Sequence, residues 1–210
     1  MNHSHSRPPI PIPARLAVFG SGAGSNARAI IEWVRNASID APYDVVLIVS
    51  TSPSAGINDV ARAYGLPLLV LERSMPVVEQ TDVLLQALRE HAITIVALAG
   101  YLRKVEPAII HMVGNHILNI HPSLLPAYGG QGMYGATVHQ AVLAAGETET
   151  GVTVHLVTDV YDDGAILAQQ RVPVLDADTV SELAARVRNV EHLLYPSAIA
   201  AYVREMAEVG

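Results

Sequence analysis

The stretch Leu16-Ala17-Val18-Phe19-Gly20-Ser21-Gly22-Ala23-Gly24-Ser25-Asn26 decides the fold. Its four consecutive apolar residues read as a short buried strand and its glycines as a turn. Asn26 to Val34, with Ala29, Ile30 and Trp33 on one face, reads as a helix. A strand buried on both faces that runs into a helix is the repeating unit of a parallel sheet. Outward from it the unit recurs. Val45 to Val49 reads as a strand, Ile57 to Tyr64 as a helix, Leu68 to Leu71 as a strand, Val78 to Glu90 as a helix and Ile93 to Leu98 as a strand. Pro107 to Val113 gives a short helix ahead of a strand at Ile117 to Ile120. This alternation predicts a doubly wound α/β fold, a mostly parallel sheet with helices on both faces. Ligands of such sheets bind beyond the carboxyl ends of the strands, so functional residues are expected just after Phe19, Leu98 and Ile120.

Past residue 121 the texture changes. A Gly-rich loop at Tyr128 to Gly135 precedes a helix at Val138 to Ala145 and two strand-like runs, Gly151 to Val157 and Ala165 to Val174. The short connection from Thr158 to Gly164 predicts that these runs form an antiparallel pair near the C-terminal part. Thr179 to Val203 closes as a helix that Pro196 should kink or divide. At the other end, MNHSHSRPPIPIPA carries four prolines and no apolar period. Residues 1–14 are therefore expected to be a disordered or extended lead-in, with His3 and His5 on a solvated tail, and residues 15–210 a single domain.

Half of the 210 residues are hydrophobic and 16% are charged, enough apolar surface for a sizeable core. Cysteine is absent, which removes disulfides, thiolate nucleophiles and cysteine-ligated metals and fits a reducing compartment. No apolar run approaches the roughly 20 residues of a membrane span, and the polar start lacks the regions of a signal peptide. A cytoplasmic location is expected, with no membrane partner. The net charge of -7 and 13 dispersed basic residues argue against a nucleic-acid surface, so an anionic ligand must be met locally. No His-Glu-x-x-His or comparable spacing occurs, and no metal is expected. Symmetric association is common among such proteins, which makes a homodimer the oligomer to consider, although no surface stripe marks an interface.

Three local patterns carry chemistry. Gly20-x-Gly22-x-Gly24-Ser25-Asn26 links a strand to a helix, where backbone N–H groups and the positive helix end can hold a phosphate. It lacks the dinucleotide spacing and the GK[ST] of a triphosphate loop, which favours a phosphomonoester; a plain tight turn explains the glycines as well. Asn119 and His121, two apart at a strand end, share one face while Ile120 points to the other. An amide donor beside an imidazole suits a reaction that builds negative charge on a carbonyl oxygen. The same spacing equally fits a buried histidine beside a turn-capping asparagine. In Asp159-x-x-Asp162-Asp163-Gly164, turn chemistry alone accounts for the acids, but a carboxylate near His121 would raise its pKa and keep a proton available.

Taken in order, Gly24-Ser25-Asn26, Ala99-Gly100-Tyr101-Leu102-Arg103, Asn119-Ile120-His121-Pro122-Ser123-Leu124-Leu125-Pro126 and Asp159-x-x-Asp162-x-Gly164 resemble the folate-dependent formyltransferases, specifically the phosphoribosylglycinamide formyltransferase family. The likeness runs from about Arg15 to the last helix. It implies a Rossmann-like formyltransferase fold and transfer of a formyl group from 10-formyltetrahydrofolate to glycinamide ribonucleotide in purine synthesis. It also implies that Asn119, His121 and Asp162 are catalytic. Gly24, Ser25 and Asn26 would hold the substrate phosphate, with Arg188, Asn189, Val190 and Glu191 near phosphate and sugar. Leu102, Arg103, Lys104 and Val105, with Thr158, Asp159, Val160, Tyr161, Asp162 and Asn119, would line the pocket of the reduced-folate co-substrate, largely through backbone contacts.

Two stretches depart from the family pattern. Ala127 to Thr137 is longer and richer in glycine than the usual loop, and Met75-Pro76-Val77-Val78-Glu79 lacks a basic residue seen in many members. Other readings remain. A 10-formyltetrahydrofolate hydrolase would use the same folate site, but those enzymes resemble this domain with an added N-terminal regulatory domain, for which 14 residues leave no room. Formylation of an amino sugar nucleotide or an initiator tRNA is a further option, the latter opposed by low basicity. A non-catalytic folate- or nucleotide-binding module is the last, since a fold does not determine chemistry.

Overall fold

A computed structural model describes residues 7–37 and 40–209. In chain order its elements are β1 (Ala14–Gly20), α1 (Ser25–Asn36), β2 (Tyr43–Ser50), α2 (Ile57–Tyr64), β3 (Leu68–Val70), α3 (Val77–Glu90) and β4 (Ile95–Leu98). They continue with α4 (Pro107–Met112), β5 (Ile117–His121), α5 (Ala136–Ala144), β6 (Glu149–Leu156), β7 (Ile166–Pro173) and α6 (Val180–Glu208). The strands form a seven-stranded sheet in the order β3-β2-β1-β4-β5-β6-β7. Pairings from β3 through to β5 are parallel, whereas β5–β6 and β6–β7 are antiparallel. Chain direction reverses its spread between β1 and β4, the switch point at which such sheets open a crevice.

Period two sorts the strand residues between two cores. Leu16 and Val18 of β1, Ile95 and Ala97 of β4 and Leu118 and Ile120 of β5 pack under α1, α2, α5 and α6. Ala17, Phe19, Val96, Leu98 and Ile117 face α3 and α4 through Leu84, Leu88, Ile109 and Ile110. The strands at the sheet centre are apolar on both sides because both faces are covered. Asn119 and His121 continue the Ile117 side of β5. They are the points at which that apolar face gives way to polar groups.

One expectation changes. α6 runs unbroken for 29 residues across Pro196, so the proline does not divide it. The missing N–H leaves the His192 carbonyl without its helical partner, but burial of this turn outweighs that loss. The Tyr195 hydroxyl sits 3.0 and 2.9 Å from the carbonyls of Leu98 and Leu118, its acceptors, and Tyr43 donates to the Pro196 carbonyl. The helix start is fixed by a reciprocal capping box between Thr179 and Glu182.

The described part of the lead-in, residues 7–13, is irregular chain held against the domain. Ile10 is buried, and its N–H reaches the Met206 carbonyl. His116 Nε2 donates to the Pro8 carbonyl at 2.8 Å, and Arg7 Nε donates to Asn115 O. These contacts dock residues 7–10 beside α6 and the α4–β5 turn. His3 and His5 lie outside the described residues.

Candidate functional site

A cleft of about 760 Å³ opens at the carboxyl ends of β1, β4 and β5, bounded by the loop before α5, by α6 and by the β6–β7 connection. The residues expected after Phe19, Leu98 and Ile120 do converge there. Its two ends have different makeup.

At one end the chain offers main-chain groups. Gly24 caps α1 at φ 79°, and no side chain caps that helix, which leaves its first N–H groups free to meet a ligand. A Cβ on Gly24 would stand 2.7 Å from the Ile57 Cα, so glycine is required both by the left-handed conformation and by the close approach of α2. Asn26 lines the cleft and donates through Nδ2 to Glu191 Oε2 at 2.9 Å. Burial pushes the Glu191 carboxyl up, against the opposing influence of Asn26 and Arg188. Arg188 also lines the cleft. It makes no ion pair among the described residues, whereas Arg186, one turn-face away, is clamped by Asp178, with Nη2 2.7 Å from Oδ1. Not every expected residue reaches the cleft. Gly24 and Ser25 stand behind its lining, Asn189 is exposed elsewhere on α6, and Val190 packs on the core because helical period turns these two away.

At the other end, side chains converge. Asn119 and His121 face the same way from β5, opposite His155 and Thr153 of β6. His121 is buried; its Nε2 donates to the Tyr128 carbonyl at 2.8 Å, and its Nδ1 lies 3.6 Å from Asp162 Oδ2. Asp162 sits in the left-handed region at φ 54°, and its Oδ2 accepts the Gly130 N–H at 2.8 Å. Asn119 Nδ2 is 3.0 Å from His155 Nε2, which is also 3.5 Å from Asp162 Oδ1. The trio inferred from separate motifs thus occupies one wall.

The electrostatics correct one expectation. Asp162 does push the His121 pKa up, but burial is the larger influence, and with the neighbouring His155 it leaves His121 below the ordinary histidine value. For Asp162 burial opposes the charge, yet the Gly130 amide and the proximity of His121 pull the other way, and the carboxyl lies below its usual range. The resting pair is therefore a carboxylate beside a neutral imidazole.

Leu102 to Val105 and Thr158 to Asp162 line the mouth between these ends. The exposed apolar side chains of Leu102, Val160 and Tyr161 form its rim. The Arg103 guanidinium turns away, donating to Gln80 and to the carbonyls of Thr51 and Leu71 at 2.9 and 3.0 Å, so that its backbone is what borders the cleft. The unusual Gly-rich loop is a wall of the site. Gly130, Gly132 and Gly135 take positive φ, and main-chain atoms of Tyr128 and Gly130 hold His121 and Asp162. His139 and His155 line the cleft as well. The sequence offered no partner for either, although the pairing of β5 with β6 supplies one for His155. Among the described residues no group of three His, Cys, Asp or Glu side chains could hold a metal ion, and no helix is long and apolar enough to cross a membrane.

Residues 14–199 match the family model described as formyl transferase. The chain is 42% identical over 196 residues to chloroplastic phosphoribosylglycinamide formyltransferase of Arabidopsis thaliana, a match covering 91% of this chain and 66% of that protein. With phosphoribosylglycinamide formyltransferase of Bacillus subtilis it shares 34% identity over 189 residues, 88% of this chain and 92% of the relative. The crystal structure of phosphoribosylglycinamide formyltransferase from Brucella melitensis, 40% identical, covers 90% of this chain and 95% of its own with a TM-score of 0.82. The chain spans just under two thirds of the plant relative's length and nearly all of the bacterial ones. The family model covers most of the chain, and the chain belongs to the formyl transferase family.

Proposed function

We propose that this protein transfers the formyl group of 10-formyltetrahydrofolate to the primary amine of glycinamide ribonucleotide, a step of purine synthesis, in the cytoplasm. The observation that carries this reading is one cleft with an uncapped helix N-terminus at one end and Asn119, His121 and Asp162 gathered at the other. Residues 15–210 act as the catalytic domain.

The N–H groups at the start of α1, around Gly24, Ser25 and Asn26, hold the phosphate, with Arg188 supplying positive charge. Glu191, steadied by Asn26, meets the sugar hydroxyls. Asn189 and Val190 serve only by continuing α6 between Arg188 and Glu191. The reduced folate enters over Leu102, Val160 and Tyr161, and the backbone from Leu102 to Val105 and from Thr158 to Asp162 fits its polar ring edge.

In the reaction the neutral amine forms a bond to the formyl carbon while the carbonyl electrons move onto oxygen. Asn119 Nδ2–H and His121 Nε2–H donate to that oxygen, for which His121 exchanges the Tyr128 carbonyl it holds at rest. As charge builds, Asp162 stabilises a proton arriving at His121 Nδ1. The carbon–nitrogen bond to the folate then breaks, the carbonyl reforms, and the proton lost by the amine ends on the folate nitrogen.

Mass analysis of the products from 10-formyltetrahydrofolate and glycinamide ribonucleotide tests the assignment. N-formylated glycinamide ribonucleotide is expected. Formate alone would mark a hydrolase, and bound but unchanged folate a non-catalytic module.

A further inference from the structure

We infer that His155 is a positioning residue that fixes which atom of the Asn119 amide faces the reacting oxygen; this rests on the formyl-transfer reading above. His155 is 2% exposed and lies directly across from Asn119 in the β5–β6 ladder. Its Nδ1 is 2.9 Å from the Leu156 carbonyl, which can only accept, so Nδ1 carries a hydrogen. In the neutral ring Nε2 is then a lone-pair acceptor. The group that meets it at 3.0 Å must be the NH₂ of Asn119.

The consequence falls on Asn119. An amide is nearly symmetric in shape, and its two orientations differ only in where the donors point. With one N–H committed to His155, the second N–H of the same nitrogen is left for the cleft, and Oδ1 is turned aside. A reaction that builds negative charge needs that donor and is opposed by the carbonyl oxygen. The other neighbour of Nε2, Asp162 Oδ1, is farther at 3.5 Å. Nε2 cannot accept from Asn119 and donate to Asp162 together, and the shorter contact, with Leu156 holding the Nδ1 hydrogen, favours Asn119. A His155 ring with both nitrogens protonated would aim Nε2–H at Asp162 and remove the acceptor that orients the amide.

Nitrogen-15 spectra of the histidine-labelled protein at neutral pH, with the His155 signals identified from His155→Gln, read the tautomer directly. A protonated Nδ1 and an unprotonated Nε2 are expected; a protonated Nε2 overturns the inference whatever the enzyme does. Steady-state kinetics supply the second readout. His155→Leu should lower kcat by about 10-fold or more, short of the ~10²-fold loss of a missing oxyanion donor, with KM for both substrates nearly unchanged. His155→Gln, whose amide oxygen can accept from Asn119, should recover much of that rate. Because His155 acts through Asn119, adding His155→Leu to Asn119→Ala should cost little more; an equal further fall in kcat would show an independent role and overturn the inference. A wild-type protein without formyl transfer would remove the reaction proposed above, while the ring-nitrogen spectrum still decides the tautomer.

Discussion

The parallel and antiparallel halves of the sheet build opposite ends of one cleft by different means. On the parallel side the β1–α1 turn presents backbone, and the residue that matters is a glycine because it leaves room. On the antiparallel side β5 and β6 present side chains, and what matters is register, which sets Asn119 against His155 and brings Asp162 round the β6–β7 connection to His121. Backbone amides at a helix end provide a fixed field for a charge that is present throughout. Side chains on paired strands provide donors for a charge that appears only during reaction. On the function proposed above, binding belongs to one half and chemistry to the other, and substitutions can separate the two.

The largest effect is expected for Asn119→Ala, a fall in kcat of ~10²-fold or more with the melting temperature little changed, measured with both substrates saturating. Gly24→Ala should act on the opposite end and mainly through stability. The strained φ and the contact with Ile57 are expected to cost about 1–3 kcal/mol in a denaturant titration, together with a higher KM for glycinamide ribonucleotide. Arg188→Ala, at an exposed cation, should raise that KM by about fivefold and leave kcat alone, as measured by initial rates over a range of substrate.

Two smaller effects concern protons. Asp162 pushes His121 up, so Asp162→Asn should move the His121 titration, followed by NMR, further below the ordinary histidine value. Burial is the first cause that depresses His116, His121, His139 and His192. Below about pH 6.5 the unfolded chain therefore takes up protons that the folded chain does not, and stability falls as pH drops. Above that pH these histidines are neutral in both states and contribute no slope. Thermal unfolding across this range checks the sign.

Much of the fold could be read from local pattern because the central strands β1, β4 and β5 are buried on both faces and, like β2 and the half-buried edge strand β3, show as apolar runs. The α2 span, Ile57 to Tyr64, was legible to the residue, and strand ends shifted by one or two positions. Pro196 misled because propensity is local while the burial that carries α6 across it comes from strands far away in sequence. Nothing in the N-terminal prolines could show that Ile10 finds its partner in α6.

For the site, period two placed Asn119 and His121 together. No period could show that His155 stands opposite Asn119, because register between strands depends on how the intervening chain folds. The resemblance carried Asn189 and Val190 over in one run with Arg188 and Glu191, and helical rotation separates them from the cleft. The sign of the His121 shift was unreadable for a related reason. A nearby carboxylate can be guessed from a motif, but the burial that outweighs it is a property of the assembled wall, including the carbonyl of Tyr128 and the amide of Gly130.

The most direct measurement is the initial rate of deformylated folate formation, followed by absorbance, with and without glycinamide ribonucleotide. A rate that rises saturably with the amine and is negligible in its absence is the result expected of a cleft that binds a phosphorylated amine at one end and transfers formyl at the other. An equal rate with and without it would contradict that division of labour and make water the acceptor.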